Sequence, residues 1–375
     1  FTLSTILLTF TPGIRWLIGV RILQGIGGAL MFGTNMAILT SVFPPGERGR
    51  AMGINVTAVY VGLASGPFLG GLLTRYLGWR SIFAFLIPMG IISLILIRRK
   101  MKQEWAEAKG ESFDWTGAAI YGVSIAALMY GFSKLPSVHG WIITGAGIVL
   151  MPLFVIREKR VVHPLFDITL ISKNRVFAFS SLAALIHYAA TSAIGFFLSL
   201  YLQYIKGLGP RDAGFVLMSM PLMMSLFSPA AGKLSDRQNP GVLASIGMAV
   251  TSVGLIILCF LTEQTTIVLV IAVLIIMGAG FSLFSSPNSN AIMSSVEKRQ
   301  LGNASGMLGT MRNVGQTLSM AIALMLLALY MGQEKISPAN YPQLMNSMKS
   351  GFIVFSVLCF AGVFASLARN KSLRK

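Results

Sequence analysis

Residues 16–42 read WLIGVRILQGIGGALMFGTNMAILTSV, an apolar stretch that carries a single charge, at Arg21. About 20 apolar residues in a helix cross the hydrocarbon core of a bilayer, so this stretch predicts a transmembrane helix. Ten further stretches of this kind follow it. The eleven predicted spans are residues 16–42, 52–73, 79–97, 115–133, 141–156, 176–203, 213–231, 241–261, 266–286, 304–332 and 350–368. The chain is therefore predicted to be an all-α polytopic membrane protein.

The composition excludes a soluble protein. Of the 375 residues, 54% are hydrophobic and 11% are charged, against about 25% charged in soluble domains. The two cysteines, Cys259 and Cys359, lie inside apolar stretches and fit neither a disulfide framework nor a metal site. No cluster of nucleophile, base and orienting group stands out either. We therefore expect a protein that is not an enzyme and has no bound cofactor.

Lysine and arginine are distributed unequally between the two faces of the membrane. One face carries 20 of the 30, and the opposite face carries 8. The segments of the richer face, here called the basic end, are residues 43–51, 98–114, 157–175, 232–240, 287–303 and 369–375. The positive-inside rule places the basic end, and with it the C-terminus, in the cytoplasm. The net charge of +18 is thus explained by membrane orientation and lipid headgroups, without a nucleic-acid partner.

An internal repeat divides the chain into two homologous bundles. Residues 37–42 recur as residues 291–296 at an offset of 254, and 49–53 recur as 302–306 at an offset of 253. Such spacing across a helix, a loop and the next helix is typical of repeat-built transporters. The spans 115–133 and 141–156 then form a two-helix insert between the bundles.

The repeat predicts three regions: a first bundle in residues 1–97, basic linkers flanking the insert in 98–175, and a six-helix second bundle with a basic tail in 176–375. If both bundles hold six helices, 16–42 is the fourth helix of the first bundle. The apolar residues 1–10 are then the end of its third helix. We therefore expect the chain to lack the first two to three helices of a fourteen-helix protein.

Two motifs resemble a known family. Leu17, Arg21 and Gln24-Gly25-x-Gly27-Gly28-Ala29 are similar to the fourth-helix motif of the major facilitator superfamily. Residues 62–71, GLASGPFLGG, are similar to the fifth-helix motif of its drug/proton antiporters. With the insert, the chain most resembles the fourteen-helix drug/proton antiporters of the EmrB/QacA type. The resemblance implies export of lipophilic small molecules from the cell by alternating access across the plasma membrane. It also implies the proton gradient as energy source, and it allows an accessory export component as a partner.

Arg21 is the first candidate site residue. An arginine inside a span costs roughly 2.5–3.5 kcal/mol on insertion scales, so such residues usually face a cavity or a partner. The repeat places Leu274 at the equivalent position, which shows that the fold does not require an arginine there. The resemblance gives Arg21 a part in proton coupling. The alternative is an arginine that extends to the membrane surface.

A second candidate is the glycine-rich motif of the span 52–73. Gly62, Gly66 and Gly70 share one helical face, which allows a neighbouring backbone to approach closely. Pro67 lacks the backbone N–H and predicts a kink. The resemblance adds Gly71 to this set and implies a hinge and packing seal between the bundles.

Four residues are candidates for a substrate pocket: Gln24, His187, Gln203 and Arg312. Histidine is the residue type that ordinarily titrates near neutral pH and could carry a proton. His187 lies on an aromatic-rich span, although such spans also simply pack against neighbours. Arg312 alternatively extends to the membrane surface.

In the cytoplasmic turn 232–237, Asp236 can cap the following helix and pair with a basic neighbour. The resemblance implies that Lys233, Asp236 and Arg237 form a latch that holds one access state. A loop with solvated charges is the alternative. The twelve Asp and Glu residues all lie in loops or at span edges, so we expect the acidic proton carrier outside this chain.

Two other functions stay open. One is an uptake transporter for an osmolyte or organic acid on the same scaffold, and the other is a membrane receptor or scaffold that transports nothing. Net proton flux opposite to substrate distinguishes the antiporter from the first. Substrate-dependent flux distinguishes it from the second.

Overall fold

The computed structural model describes residues 1–101, 114–161, 164, 168–332, 334 and 336–369, without the side chains of residues 67, 68, 168 and 169. All regular secondary structure in these residues is helical. Most of the predicted basic linker 98–114 and of the basic tail 369–375 lies outside the described residues.

In the described residues up to Lys173, the structure has seven helices. They are α1 (Thr2–Thr9), α2 (Ile14–Val42), α3 (Arg48–Leu77), α4 (Ser81–Lys100), α5 (Trp115–Ser133), α6 (Val138–Glu158) and the short α7 (Ile168–Lys173). The helices of the second half are α8 (Arg175–Thr191), α9 (Ile194–Leu200), α10 (Pro210–Leu217), α11 (Ser219–Arg237), α12 (Pro240–Leu258), α13 (Ile267–Ser294), α14 (Leu301–Met331) and α15 (Tyr341–Ala368). A π-helical turn, Tyr201–Ile205, continues α9.

Among the described residues, ten helical segments are long and apolar enough to cross a membrane, and the bent helix α3 makes eleven. Each of them overlaps one of the spans that the sequence predicts. The short span 141–156 belongs to α6, which has 21 residues and begins at a Ser137 cap. The prediction of an all-α polytopic membrane protein is confirmed.

The end of α13 differs from the sequence prediction. The predicted span stopped at residue 286, but the helix continues through Pro287 to Ser294. Its last turns are polar yet buried, because they bond to neighbouring helices instead of water. Asn288 Nδ2 donates to the Ser180 carbonyl at 3.1 Å, and Asn290 Nδ2 donates to Ser235 Oγ at 3.0 Å. Protein partners therefore replace the solvent that a hydropathy pattern assumes.

A buried arginine closes the basic end of the second bundle. Arg369 follows α15 and is 1% exposed. Its Nη1 donates to Ser180 Oγ and Asn288 Oδ1, both at 2.7 Å. Its Nη2 donates to the Gly241 carbonyl at 2.8 Å and to Ser366 Oγ at 2.7 Å. Burial lowers the pKa of Arg369 to about 10, so the side chain stays charged at neutral pH. One cation thus joins α8, α12, α13 and α15.

The insert is an antiparallel hairpin of α5 and α6. Ser124 Oγ donates to the Gly147 carbonyl at 2.8 Å between the two helices. At the basic end, Arg157 forms an ion pair of 2.8 Å with Asp114, which also caps α5 by accepting from the Gly117 N–H at 3.0 Å. The hairpin therefore holds itself together, and α5 also contacts α14.

Candidate functional site

The two halves meet where α3 crosses α11 near the basic end. Gly49 and Gly53 of α3 face Ser228 and Gly232 of α11. A Cβ added at Gly53 would lie 2.5 Å from the Ser228 carbonyl oxygen, and one added at Gly49 would lie closer still to that of Gly232. We call these four residues the seam. Because only small side chains allow two helix backbones to approach this closely, the seam depends on their size.

The sequence predicted such packing elsewhere on the same helix. At Gly62, Gly66, Gly70 and Gly71, no atom of the described residues lies within 4 Å of an added Cβ. The segments Arg48–Gly66 and Leu69–Leu77 are inclined by 41° to each other, and the side chain of Pro67 lies outside the described residues. A hinge and packing role for this motif stays a prediction. The four-residue spacing of Gly49 and Gly53 is the sequence signal from which the seam could have been predicted.

Asp236 links the halves beside the seam. Its carboxylate accepts hydrogen bonds from the backbone N–H groups of Gly49 at 2.7 Å and Arg50 at 2.8 Å. These are otherwise unpaired donors in the first turn of α3, where the helix dipole favours an anion.

The prediction that Asp236 caps the following helix is wrong. Asn239 caps α12 instead, by accepting from the Gly241 N–H at 2.8 Å. Asp236 contacts the other half of the molecule because the seam brings the first turn of α3 within its reach. Lys233 and Arg237 are exposed and form no hydrogen bond or ion pair within the described part of the chain.

A cavity of about 280 Å³ lies between the halves. Its first-half wall consists of α2 and α3, and its second-half wall consists of α8, α13 and α14. The lining residues are Phe32, Asn35, Met36, Asn55, Val56, Val59, Tyr60, Tyr188, Ser285, Ser289, Ser305, Leu308, Gly309, Arg312, Asn313 and Gln316. The seam residue Gly53 immediately precedes the α3 part of this wall. The seam therefore lies beside the cavity, toward the basic end along α3.

Arg312 is the predicted pocket residue that lines the cavity. It lies eleven residues after the start of α14, which is roughly 16 Å along the helix at 1.5 Å per residue. That depth is too great for its side chain to reach the membrane surface. Its guanidinium carbon lies 5.5 Å from the centre of the Tyr188 ring. The structure thus favours a cavity-facing arginine over one that extends to the surface.

His187 is fully buried and does not line the cavity. Its ring lies 4.0 Å from that of Phe284 and 4.6 Å from that of Phe281, centre to centre. Neither of its nitrogens has a hydrogen-bond partner in the described residues. Its neighbour Tyr188 contributes to the wall instead. Of the two interpretations of this aromatic-rich helix, packing against neighbours is the one that these contacts support.

The other predicted residues lie near the end of the molecule opposite to the basic end. Arg21 is exposed, donates to Gln24 Oε1 at 2.8 Å and lies 5.0 Å from the centre of the Phe83 ring. Gln24 is buried and donates to Thr5 Oγ1 at 2.8 Å. Gln203 donates to Ser199 Oγ at 2.8 Å within its own helical segment. None of these residues lines the cavity, and a role for Arg21 in coupling stays a prediction.

Sequence reasoning missed most of the polar wall. Asn35 and Asn55 pair reciprocally through their side-chain amides at 3.3 Å. Along α14, Ser305, Arg312 and Gln316 share one face at helical spacing. This polar stripe inside an apolar span is a sequence signal that would have found the wall.

The family model for the Major Facilitator Superfamily matches residues 1–320 and again residues 181–371. The chain belongs to the Major Facilitator Superfamily. It is therefore an integral membrane protein of a transporter superfamily, as its motifs predicted.

Curated members of the superfamily resemble the chain along most of its length. The Riboflavin transporter RibZ of Clostridioides difficile is 28% identical over 98% of this chain and 80% of its own length. The Multidrug resistance protein Stp of Mycobacterium tuberculosis is 29% identical over 88% of this chain and 62% of its own length. The Tetracenomycin C resistance and export protein of Streptomyces glaucescens is 26% identical, over 92% and 65%.

A solved structure supports the superfamily fold. The human organic anion transporter MFSD10 matches 97% of this chain and 74% of its own with a TM-score of 0.68, at 14% sequence identity. At this identity the likeness concerns the fold alone.

Proposed function

We propose that the chain belongs to a proton-driven exporter of lipophilic small molecules, of the fourteen-helix drug/proton antiporter type. The residues of the fifth-helix motif, 62–71, support the antiporter type. The names of two relatives, a multidrug resistance protein and a tetracenomycin C resistance and export protein, support export. The exporter would act in a bacterial plasma membrane, with the C-terminus and the basic end in the cytoplasm, and an accessory export component is a candidate partner.

The observation that carries the proposal is the cavity between the halves together with the seam that joins the halves beside it, toward the basic end. Alternating access requires a central site that opens to one side at a time. With the basic end in the cytoplasm, the seam must part for a substrate to enter from inside the cell. Glycine contacts and the hydrogen bonds to Asp236 are short-range interactions, so a small separation of α3 from α11 breaks all of them.

Arg21, Gln24 and Thr5 form a hydrogen-bonded chain from α2 to α1. We propose that these three hydrogen-bonded side chains respond to the coupling proton. Binding energy shifts a two-state equilibrium only through different affinities for the two states, so proton and substrate must favour opposite states of the transporter.

The test measures dye transport into inside-out vesicles that contain the full-length protein. An acidic lumen drives an antiporter to accumulate dye, and collapse of the gradient stops it. We expect Arg21→Ala to lose gradient-driven flux while Arg15→Ala, an exposed arginine near the start of the same helix, keeps it. If both variants keep the flux, Arg21 is structural. If no dye in a broad panel moves, the export function is wrong.

Uptake is the second candidate function. The relative that covers 98% of this chain is named a riboflavin transporter and not a resistance or export protein, and that name gives no direction of transport. The direction of net flux distinguishes the two. With an acidic lumen, an exporter fills an inside-out vesicle with solute, whereas a proton-coupled importer empties the same vesicle.

A further inference from the structure

The charges around the cavity are one-sided. Arg312 is the only charged residue among the described residues that line it. None of the described Asp or Glu side chains contributes to the wall. A solute in this cavity therefore meets a positive potential.

The guanidinium of Arg312 has unused hydrogen-bonding capacity. It is half-buried, and no hydrogen bond or ion pair joins it to any described residue. Its one recorded contact is with the Tyr188 ring. An arginine presents five N–H donors in a planar fork that matches a carboxylate or a similar anion. Because Arg312 is half-buried and has no anionic partner among the described residues, a bound anion would stabilise its charge.

A second unpartnered group lies on the same wall. Ser305 is 2% exposed, and its hydroxyl has no hydrogen-bond partner in the described residues. Ser305 precedes Arg312 by seven residues, which places both on one face of α14, roughly 10 Å apart along the axis. A ligand that contacts both groups therefore has the length of a small fused-ring aromatic molecule.

The remaining wall suits an aromatic body. Phe32 and Tyr60 of the first half and Tyr188 of the second half all line the cavity. Aromatic side chains bind flat apolar rings well, and amide groups such as the Asn35–Asn55 pair fix the orientation of polar substituents.

We propose that the cavity takes amphiphilic organic anions, with the carboxylate or sulfonate on Arg312 and the aromatic body against the aromatic side chains of the wall. The proposal rests on the proposed transport function and narrows its substrate class. Neutral and cationic lipophiles lack the group that pairs with Arg312. A cation would also be repelled by it.

Two xanthene dyes of similar shape and opposite charge test the proposal. Fluorescein is anionic at neutral pH, and rhodamine methyl ester is cationic. Binding to the full-length protein in nanodiscs is measured by fluorescence anisotropy, and flux is measured in vesicles. We expect wild type to bind fluorescein at least about tenfold more tightly than the rhodamine ester, as for a charge-assisted hydrogen-bonded pair.

The variants separate charge from packing. We expect Arg312→Gln to lose this preference and Arg312→Lys to recover part of it. Arg175→Gln is the matched control, because Arg175 also lies over a ring, at 5.4 Å from Phe179, but outside the cavity.

If wild type and Arg312→Gln both bind the two dyes equally, the proposed substrate class is wrong. Export of either dye would still support the proposed transport function. Displacement of fluorescein by equimolar inorganic phosphate would indicate a small-anion site and also overturn it. If fluorescein binds through Arg312 but no dye moves, the transport function fails and the anion site stands.

Discussion

Two helices of equal hydropathy, one from each half, differ sharply in burial. The most apolar stretches of α4 and α12 both have a mean hydropathy of 2.2, yet 6% of the first and 61% of the second is buried. Lipid is as apolar as a leucine side chain, so exposing apolar surface to it costs little. Hydropathy therefore identifies a span but does not say what the span packs against.

Small and polar residues carry the packing information instead. In the second half, a Cβ added at Gly247 of α12 would lie 2.5 Å from the Gly280 carbonyl oxygen of α13. The same half buries Arg369 in four hydrogen bonds. In the first half, Arg21 is exposed and bonds to one side chain. Close contacts between helices thus involve glycine, serine, asparagine and arginine residues in these examples.

The largest expected change in stability comes from replacing an arginine of the second half, with an arginine of the first half as the comparison. Arg369→Ala leaves four buried acceptors without their donor, and each hydrogen bond to a charged group contributes roughly 1.5–3 kcal/mol. We expect a loss of at least about 3 kcal/mol in the free energy of unfolding, measured by denaturation in detergent with circular dichroism. Arg21→Ala should change it little. Equal losses in the two variants would break the comparison, and Arg369→Lys should lie in between.

The next effect concerns the seam, where the halves meet. Gly232→Val places methyl groups against the backbone of Gly49, and overpacking of this kind costs about 1–3 kcal/mol. We expect the closed state to lose stability and a Ser235→Cys probe to react faster with an impermeant maleimide from the basic end. Gly62→Val, at a position without a close neighbour, is the control. Equal labelling in both variants would show that the seam does not hold the halves together.

A smaller effect is expected at the latch. Asp236→Asn removes the negative charge from the first turn of α3, an interaction of about 0.3–1 kcal/mol. Labelling of the same probe should rise by a few-fold at most. Asn239→Ala removes a cap within the second half only, so it should lower stability without raising labelling. A greater increase in Asn239→Ala than in Asp236→Asn would argue against a latch between the halves.

The smallest effect concerns the insert, which packs mainly on itself. Hydrogen bonding to Arg157 holds the pKa of Asp114 below its ordinary value, which is about 3.9. Because its pKa is lower in the folded protein, Asp114 stabilises the fold at pH values above its ordinary pKa. That stabilisation is lost as the pH falls from the ordinary pKa through the pKa of the folded protein. Hydrogen exchange in the first turn of α5, corrected for its intrinsic rate, should therefore match at pH 7 and pH 5 and rise only below about pH 4.

Arg157→Gln supplies the comparison for this last experiment. Without its main partner, Asp114 should titrate closer to the ordinary value, so protection in α5 should be lower at pH 7 and should fall less below about pH 4. Identical profiles for the two proteins would mean that the ion pair does not stabilise the hairpin.

The candidate site was predictable only in part. The position of Arg312 inside a predicted span made it a candidate from sequence, because an intramembrane charge is costly and rare. The same reasoning selected Arg21 and His187, which lie outside the cavity. Tyr188 and Asn55 escaped notice, since a single polar side chain in a span does not reveal which way it faces.

The sequence by itself determined the helices and their membrane-spanning character, because a backbone in lipid must satisfy its own hydrogen bonds and apolar side chains must cover it. It also determined the two-fold repeat. Only the tertiary structure decided that α3 meets α11, that Asp236 caps α3, and that Arg312 faces a cavity. These choices depend on contacts between residues about 190 positions apart, such as Gly49 and Asp236. In lipid such contacts are selected by shape and hydrogen bonding rather than by hydrophobicity.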